Sequence, residues 1–173
     1  LKPQAFHNEA ISRSGGIASI ISMFLLFGIY YLLFSKILYE YVFLSISLFL
    51  VGYLDDIKIK ISPNLRLTLM TIFLLVFITI LHVEIKYIDL IFLDSWLENQ
   101  IFSIIFILLC FLFIINGANL IDGFNGLLTI NLIIINSVLL FINLDNNHFE
   151  FSFFLTAQII ILISFLLFNF PKA

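Results

Sequence analysis

The sequence predicts an all-α protein, a polytopic bundle of about six transmembrane helices, and three observations carry that expectation. Of 173 residues, 62% are hydrophobic and 11% charged, against roughly 45–50% and about 25% in an average soluble domain. Six apolar runs approach the roughly 20 residues that cross a hydrocarbon core of about 30 Å. Phe, Leu and Ile occupy every helical face of these runs, so no polar stripe marks a water-facing side.

The runs cover 16–34, 38–54, 65–82, 100–116, 124–142 and 151–170 within a single integral membrane domain, 1–173. The first opens on Gly15 and Gly16; it is too long, and too closely followed by others, for a cleaved signal peptide. The second stops at Asp55 and Asp56, and Ser62-Pro63 is a start signal for the third. The fourth is the run IFSIIFILLCFLFII, with a backbone bend expected at Gly117 or Gly123 and a new helix near Phe124. The sixth ends before Pro171. Cys110 stands alone within a span, so no disulfide framework is encoded. Leu1 in place of Met leads us to expect a processed chain or a fragment lacking both ends.

Charge orients the bundle. With six spans, Lys2, Arg13, Lys58, Lys60, Arg66 and Lys172 fall on one side and Lys36 and Lys86 on the other, 6 of the 8 basic residues against 2. The richer side is expected to be cytoplasmic. The acids run the opposite way, so Asp55, Asp56 and Asp122 stand out at membrane boundaries of the basic side.

Asn116, Asn119, Asp122 and Asn125 recur every third residue, with Gly117, Gly123 and Gly126 among them. A step of three turns an α-helix by about 300°, so these side chains drift around a straight helix rather than lining one stripe. A broken helix would gather them in one polar pocket, where irregular backbone is tolerated because it lines a wet cavity. Asp55 and Asp56 repel each other at a helix end whose dipole disfavours them. A divalent cation resolves this, since Mg²⁺ is held by one or two carboxylates together with phosphate oxygens. Lys58, Lys60 and Arg66 follow with the positive charge that phosphates require. His7 and Arg13 precede the Gly15-Gly16 pair on the same side.

Together these stretches resemble a family. His7-x5-Arg13-x-Gly-Gly-Ile, Gly52-x2-Asp55-Asp56 with Ser62-Pro-x2-Arg66-Leu, and Asn119-Leu-Ile-Asp122-Gly-x-Asn125-Gly-Leu are similar in order and spacing to motifs of the polyprenyl-phosphate N-acetylhexosamine-1-phosphate transferases, the undecaprenyl-phosphate N-acetylglucosamine-1-phosphate transferase type. The chain departs from that pattern at Ala10 and Ser12, where prolines are usual, and at Asn125, where many members carry an aspartate and where Asn cannot ionise.

The resemblance implies a multi-pass enzyme of the bacterial inner membrane with its motifs on the cytoplasmic side. It implies transfer of N-acetylhexosamine 1-phosphate, GlcNAc-1-phosphate foremost, from a UDP-sugar to undecaprenyl phosphate, with release of UMP at the start of O-antigen or other cell-wall polymer assembly. Asp55, Asp56 and Asp122 are the expected catalytic residues and ligands of Mg²⁺, with Mn²⁺ as its substitute. His7, Arg13, Lys58, Lys60, Arg66, Asn119 and Asn125 are expected to bind substrate. Expected partners are undecaprenyl phosphate, a UDP-N-acetylhexosamine and the lipid bilayer, not nucleic acid, with a homodimer as a further expectation. Direct attack by the lipid phosphate is favoured over a covalent aspartyl intermediate, because that phosphate is already a competent nucleophile. Residues 1–173 alone are expected to be inactive, for want of a further metal ligand beyond Ala173. The rival classes are a transporter and an idle membrane scaffold; transport sites place ionisable residues at mid-membrane, and here only Asn116, Asn136 and Gln158 suggest polarity within or near the spans, as interhelical hydrogen bonds would.

Overall fold

The computed structural model describes residues 15–56, 62–121 and 126–169. Seven helices account for the described regular structure: α1 Gly15–Phe34, α2 Tyr39–Asp56, α3 Pro63–Ile80, α4 Ile91–Leu97, α5 Gln100–Ile121, α6 Leu127–Asp145 and α7 Phe149–Asn169. No strand occurs among the described residues, so the fold class is the all-α one that the composition predicts. Five helices are long and apolar enough to cross a bilayer: α1, α3, α5, α6 and α7. The apolar part of α2 is the shorter stretch Tyr39–Tyr53.

The bend expected at Gly117 does not form. Helix α5 runs through Asn116 and Gly117 to Ile121, because the polar residue there needs no break: the Asn116 amide donates to the Leu112 carbonyl one turn back, at 2.8 Å. That bond also replaces the interhelical one expected of Asn116. Gly123 and Phe124, the other expected bend and helix start, lie outside the described residues; α6 begins at Leu127, after Gly126 at φ 75°.

The chain forms two compact units by contact, residues 1–38 with 118–173, and residues 39–117. In the first, α7 packs against both α1 and α6. The end of α1 meets the start of α7, with Phe34 edge-on to Phe153 at 5.6 Å and Tyr30 edge-on to Phe154 at 6.2 Å, so these helices are antiparallel. Leu26, Tyr30 and Phe154 form the core there. The Lys36 ammonium fastens the same end, donating to both carboxylate oxygens of Glu150 at 2.7 and 2.8 Å, while the Tyr30 hydroxyl reaches that carboxylate at 3.5 Å. Between α6 and α7 the chain reverses in three residues. His148 N–H donates to Asn143 and Asn147 N–H to Leu144, the paired bonds of a helix terminated by a left-handed residue, Asn147 at φ 58°. A cavity of about 380 Å³ in this unit is lined by Ser19, Thr129, Asn136 and Gln158 among apolar side chains.

In the second unit α2 and α3 pair. Phe43 near the start of α2 stacks on Phe77 near the end of α3, with centroids 6.4 Å apart, which makes the pair antiparallel. Phe77, Ile78 and Ile107 form the core, with Leu44, Val83, Ile104 and Phe111 against them. The start of α3 is set by Ser62, whose hydroxyl accepts from Leu65 N–H at 3.2 Å, and by Pro63 in the first turn. Its end places His82 at φ 49°, while Val83 N–H donates to Ile78. Asn99 caps α5 by accepting from the Ile101 and Phe102 N–H groups.

Polar side chains within the helices mostly turn inward on their own backbone. Ser22, Thr71, Asn116, Asn131, Ser137 and Ser164 each donate to the carbonyl four residues earlier, at 2.7–2.9 Å. In a bilayer, where no water offers a partner, each such bond spares a polar group its desolvation penalty.

Candidate active site

Asp55 and Asp56 are the last two residues of α2, which carries no basic residue in its final turn. The partial negative end of the helix backbone therefore falls at this acidic pair. Only the backbone of the pair is described; their side chains lie outside the described residues.

Arg66 lies in the first turn of α3, its backbone N–H bonded to the Ser62 carbonyl at 3.1 Å. Since α2 and α3 are antiparallel, the end of α2 and the start of α3 share one end of the pair. That end holds opposite charges on neighbouring helices: the carboxylates on a negative helix terminus, the guanidinium on a positive one. Such an end can seat a cation on one side and an anion on the other. The structure thus brings Asp55, Asp56 and Arg66 to the same end of one helix pair.

Asn119 is exposed in the last turn of α5, three residues ahead of Asp122. His7, Arg13, Lys58, Lys60, Asp122 and Asn125 lie outside the described residues. Among the described residues, no three His, Cys, Asp or Glu side chains converge as a metal site. The Mg²⁺ expectation therefore rests on donor chemistry: Asp55, Asp56 and Asp122 offer only carboxylate oxygen, the hard donor that Mg²⁺ prefers.

A hollow with several charged lining residues lies elsewhere. A cavity of about 560 Å³ in the second unit is lined by Thr79, His82, Glu84, Lys86, Glu98 and Ser103 among others. These residues sit at the end of α3 and the start of α5, the end of the α2–α3 pair opposite Asp55 and Asp56.

Sequence reasoning missed the Tyr30–Lys36–Glu150 cluster, whose members stand 114 and 120 residues apart, and it missed α4. Neither gives a local signal of the kind that motifs carry.

No curated protein matches this chain. No solved structure matches it either. A family model, glycosyl transferase family 4, matches residues 38–173, from just before α2 through α7 and on to the last residue, and leaves α1 and the His7–Arg13 segment outside it. With Asp55, Asp56, Arg66, Asn119 and Asp122 all inside that match, the chain belongs to glycosyl transferase family 4.

Proposed function

We propose that this membrane glycosyl transferase moves N-acetylhexosamine 1-phosphate, GlcNAc-1-phosphate foremost, from a UDP-sugar to undecaprenyl phosphate. A lipid phosphate oxygen attacks the sugar-bearing phosphorus of the nucleotide. The bond from that phosphorus to the bridging oxygen breaks, its electron pair leaves with UMP, and a lipid diphosphate sugar remains. The observation that carries this reading is the shared end of α2 and α3, where Asp55 and Asp56 close the one helix and Arg66 stands in the first turn of the other, inside the matched family region.

A water-soluble nucleotide and a lipid-anchored phosphate meet only at a membrane boundary, which is where helix ends lie. Phosphoryl transfer asks chiefly for alignment and charge neutralisation. Asp55, Asp56 and Asp122 would hold Mg²⁺, which when bound neutralises phosphate charge. Arg66, with His7, Arg13, Lys58 and Lys60, binds phosphate oxygens, and Asn119 and Asn125 donate amide hydrogen bonds to the nucleotide. The chemistry belongs on the cytoplasmic side of a bacterial inner membrane, because the basic residues gather on that side.

The test uses membranes carrying the intact gene product and radiolabelled UDP-N-acetylglucosamine. Label is expected in the lipid phase, with UMP released in equal amount and both lost when EDTA removes divalent cations. Uptake into vesicles without lipid labelling would instead support a transporter, the reading to which the mid-span Asn136–Gln158 cavity lends its one observation.

A further inference from the structure

Helix α4 contradicts what water would allow. Its seven residues place Ile91, Phe92, Ser95 and Trp96 on one face, an arc of roughly 140° at about 100° per residue, and that face points away from the protein. Ile91 is 92% exposed and Trp96 57% exposed, whereas Leu97 on the opposite face is buried. The one acid of the helix does not soften the outer face, because Asp94 folds back to accept the Ile88 N–H at 2.7 Å. Tyr87 beside the helix is 70% exposed. Both faces of α4 are thus apolar, and only one is covered by protein.

The outer face continues without interruption onto α5. Phe92 meets Trp96 edge-on at 6.4 Å, Trp96 meets Phe102 edge-on at 5.5 Å, and Phe102 stacks on Phe106 at 6.1 Å. Beside these rings runs the ridge Ile101, Ile105, Leu109 and Phe113, one residue per turn, every one exposed along a helix long enough to cross a bilayer. A groove of about 590 Å³ separates α4 from the start of α5, with Trp96, Ile101, Phe102 and Ile105 along it and Ser95 and Asn99 as its polar members.

From this continuity we infer that α4 and its flanks are an in-plane lipid-binding element, seated in the headgroup–acyl boundary at the end of the second unit opposite Asp55 and Asp56. The groove beside Trp96 takes one phospholipid acyl chain, and Ser95 and Asn99 meet its ester region. Trp and Tyr favour that depth because their rings are apolar with one polar edge. Segment 83–99 carries Glu84, Asp89, Asp94 and Glu98 against Lys86 alone. Attraction to anionic lipid therefore plays no part, and the partner is the neutral glycerol-ester layer.

Trp96 is the single tryptophan of the chain, so its fluorescence reports this site without labelling. The whole chain is reconstituted into phosphatidylcholine vesicles containing lipids brominated either just below the ester groups or deep in the acyl chain. Shallow bromines are expected to remove roughly half of the emission and deep ones clearly less, with acrylamide quenching weak and little change when a third of the lipid is made anionic. The double substitution Ile91→Asp with Phe92→Asp is expected to shift the emission to the red and to open Trp96 to acrylamide at unchanged helix content. Quenching by acrylamide as full as that of a free tryptophan analogue would overturn the assignment, since α4 would then face water. Stronger quenching by deep bromines would overturn it by placing the helix in the hydrocarbon core, and protection from acrylamide and both lipids would do so by showing a protein cover.

Discussion

The packed ends of the two units and the ends proposed to carry the chemistry are different places. In the first unit Tyr30, Phe34, Phe153 and Phe154 interlock where α1 finishes and α7 starts, and Lys36 and Glu150 close that end. In the second, Phe43, Phe77, Ile78 and Ile107 interlock where α2 starts and α3 finishes. Asp55, Asp56 and Arg66 occupy the other end of that helix pair, and Gly126 opens α6 at the other end of the first unit. Aromatic packing fixes the helices at one end, so the opposite ends can hold residues chosen for charge and hydrogen bonding rather than for fit.

Substitutions can break this division. The largest effect is expected at the chemical end. Asp55→Asn or Asp56→Asn should lower lipid labelling by at least about 10²-fold, the scale of several kcal/mol of charge stabilisation. Either change removes a negative charge from the negative terminus of α2, so thermal stability should stay level or rise by up to about 1 kcal/mol. An inactive variant that is also less stable would show that the pair serves folding. Asp122→Asn should lose activity similarly, with membrane insertion intact.

At the packed end the signs reverse. Phe77 is buried between Phe43 and Phe111, and Phe77→Ala should cost about 3 kcal/mol in detergent or denaturant unfolding, while the protein that remains folded keeps its turnover. Smaller still is Gly126→Ala. Gly126 sits at φ 75° ahead of α6, where a side chain costs about 1–2 kcal/mol, and this change sharpens the comparison because it is a folding cost at the chemical end. The smallest effect belongs to Lys36→Met. Lys36 is held above its ordinary pKa of 10.5, first by the hydrogen bond to Glu150 and then by that carboxylate's charge. Because the folded value is raised, the stabilisation is complete below the ordinary pKa and fades as pH climbs through the folded one. Melting curves of the two proteins should differ at pH 7, and the difference should begin to close only as pH rises past the ordinary value of 10.5 toward the raised folded one.

The sequence told the fold apart from its irregularities. Apolar length is a property of consecutive residues, so the runs ending at Phe34 and starting at Gln100 were legible directly. Helix α4 was not, because seven residues with Asp94 and Ser95 among them resemble a loop in any window wide enough to detect a span. Gly117 misled for a related reason. Glycine permits a bend without demanding one, and among the described residues nothing lies within 4 Å of where its Cβ would stand, so none of them asks the helix to turn. The charge pattern of Asp55, Asp56 and Arg66 was legible because it is local to one hairpin. Lys36 and Glu150 meet across 114 residues, and no spacing rule links them.

The hydrogen bonds that Ser22, Thr71, Asn116, Asn131, Ser137 and Ser164 return to their own helices bear on how the protein is made. A helix emerging from the ribosome must decide between water and lipid before its neighbours exist, and an open amide such as that of Asn116 weighs against lipid. With the amide already bound to Leu112, α5 carries its polarity internally and needs no companion to enter the bilayer. Each span can thus be committed to the membrane in order of synthesis, with aromatic docking left to a later stage.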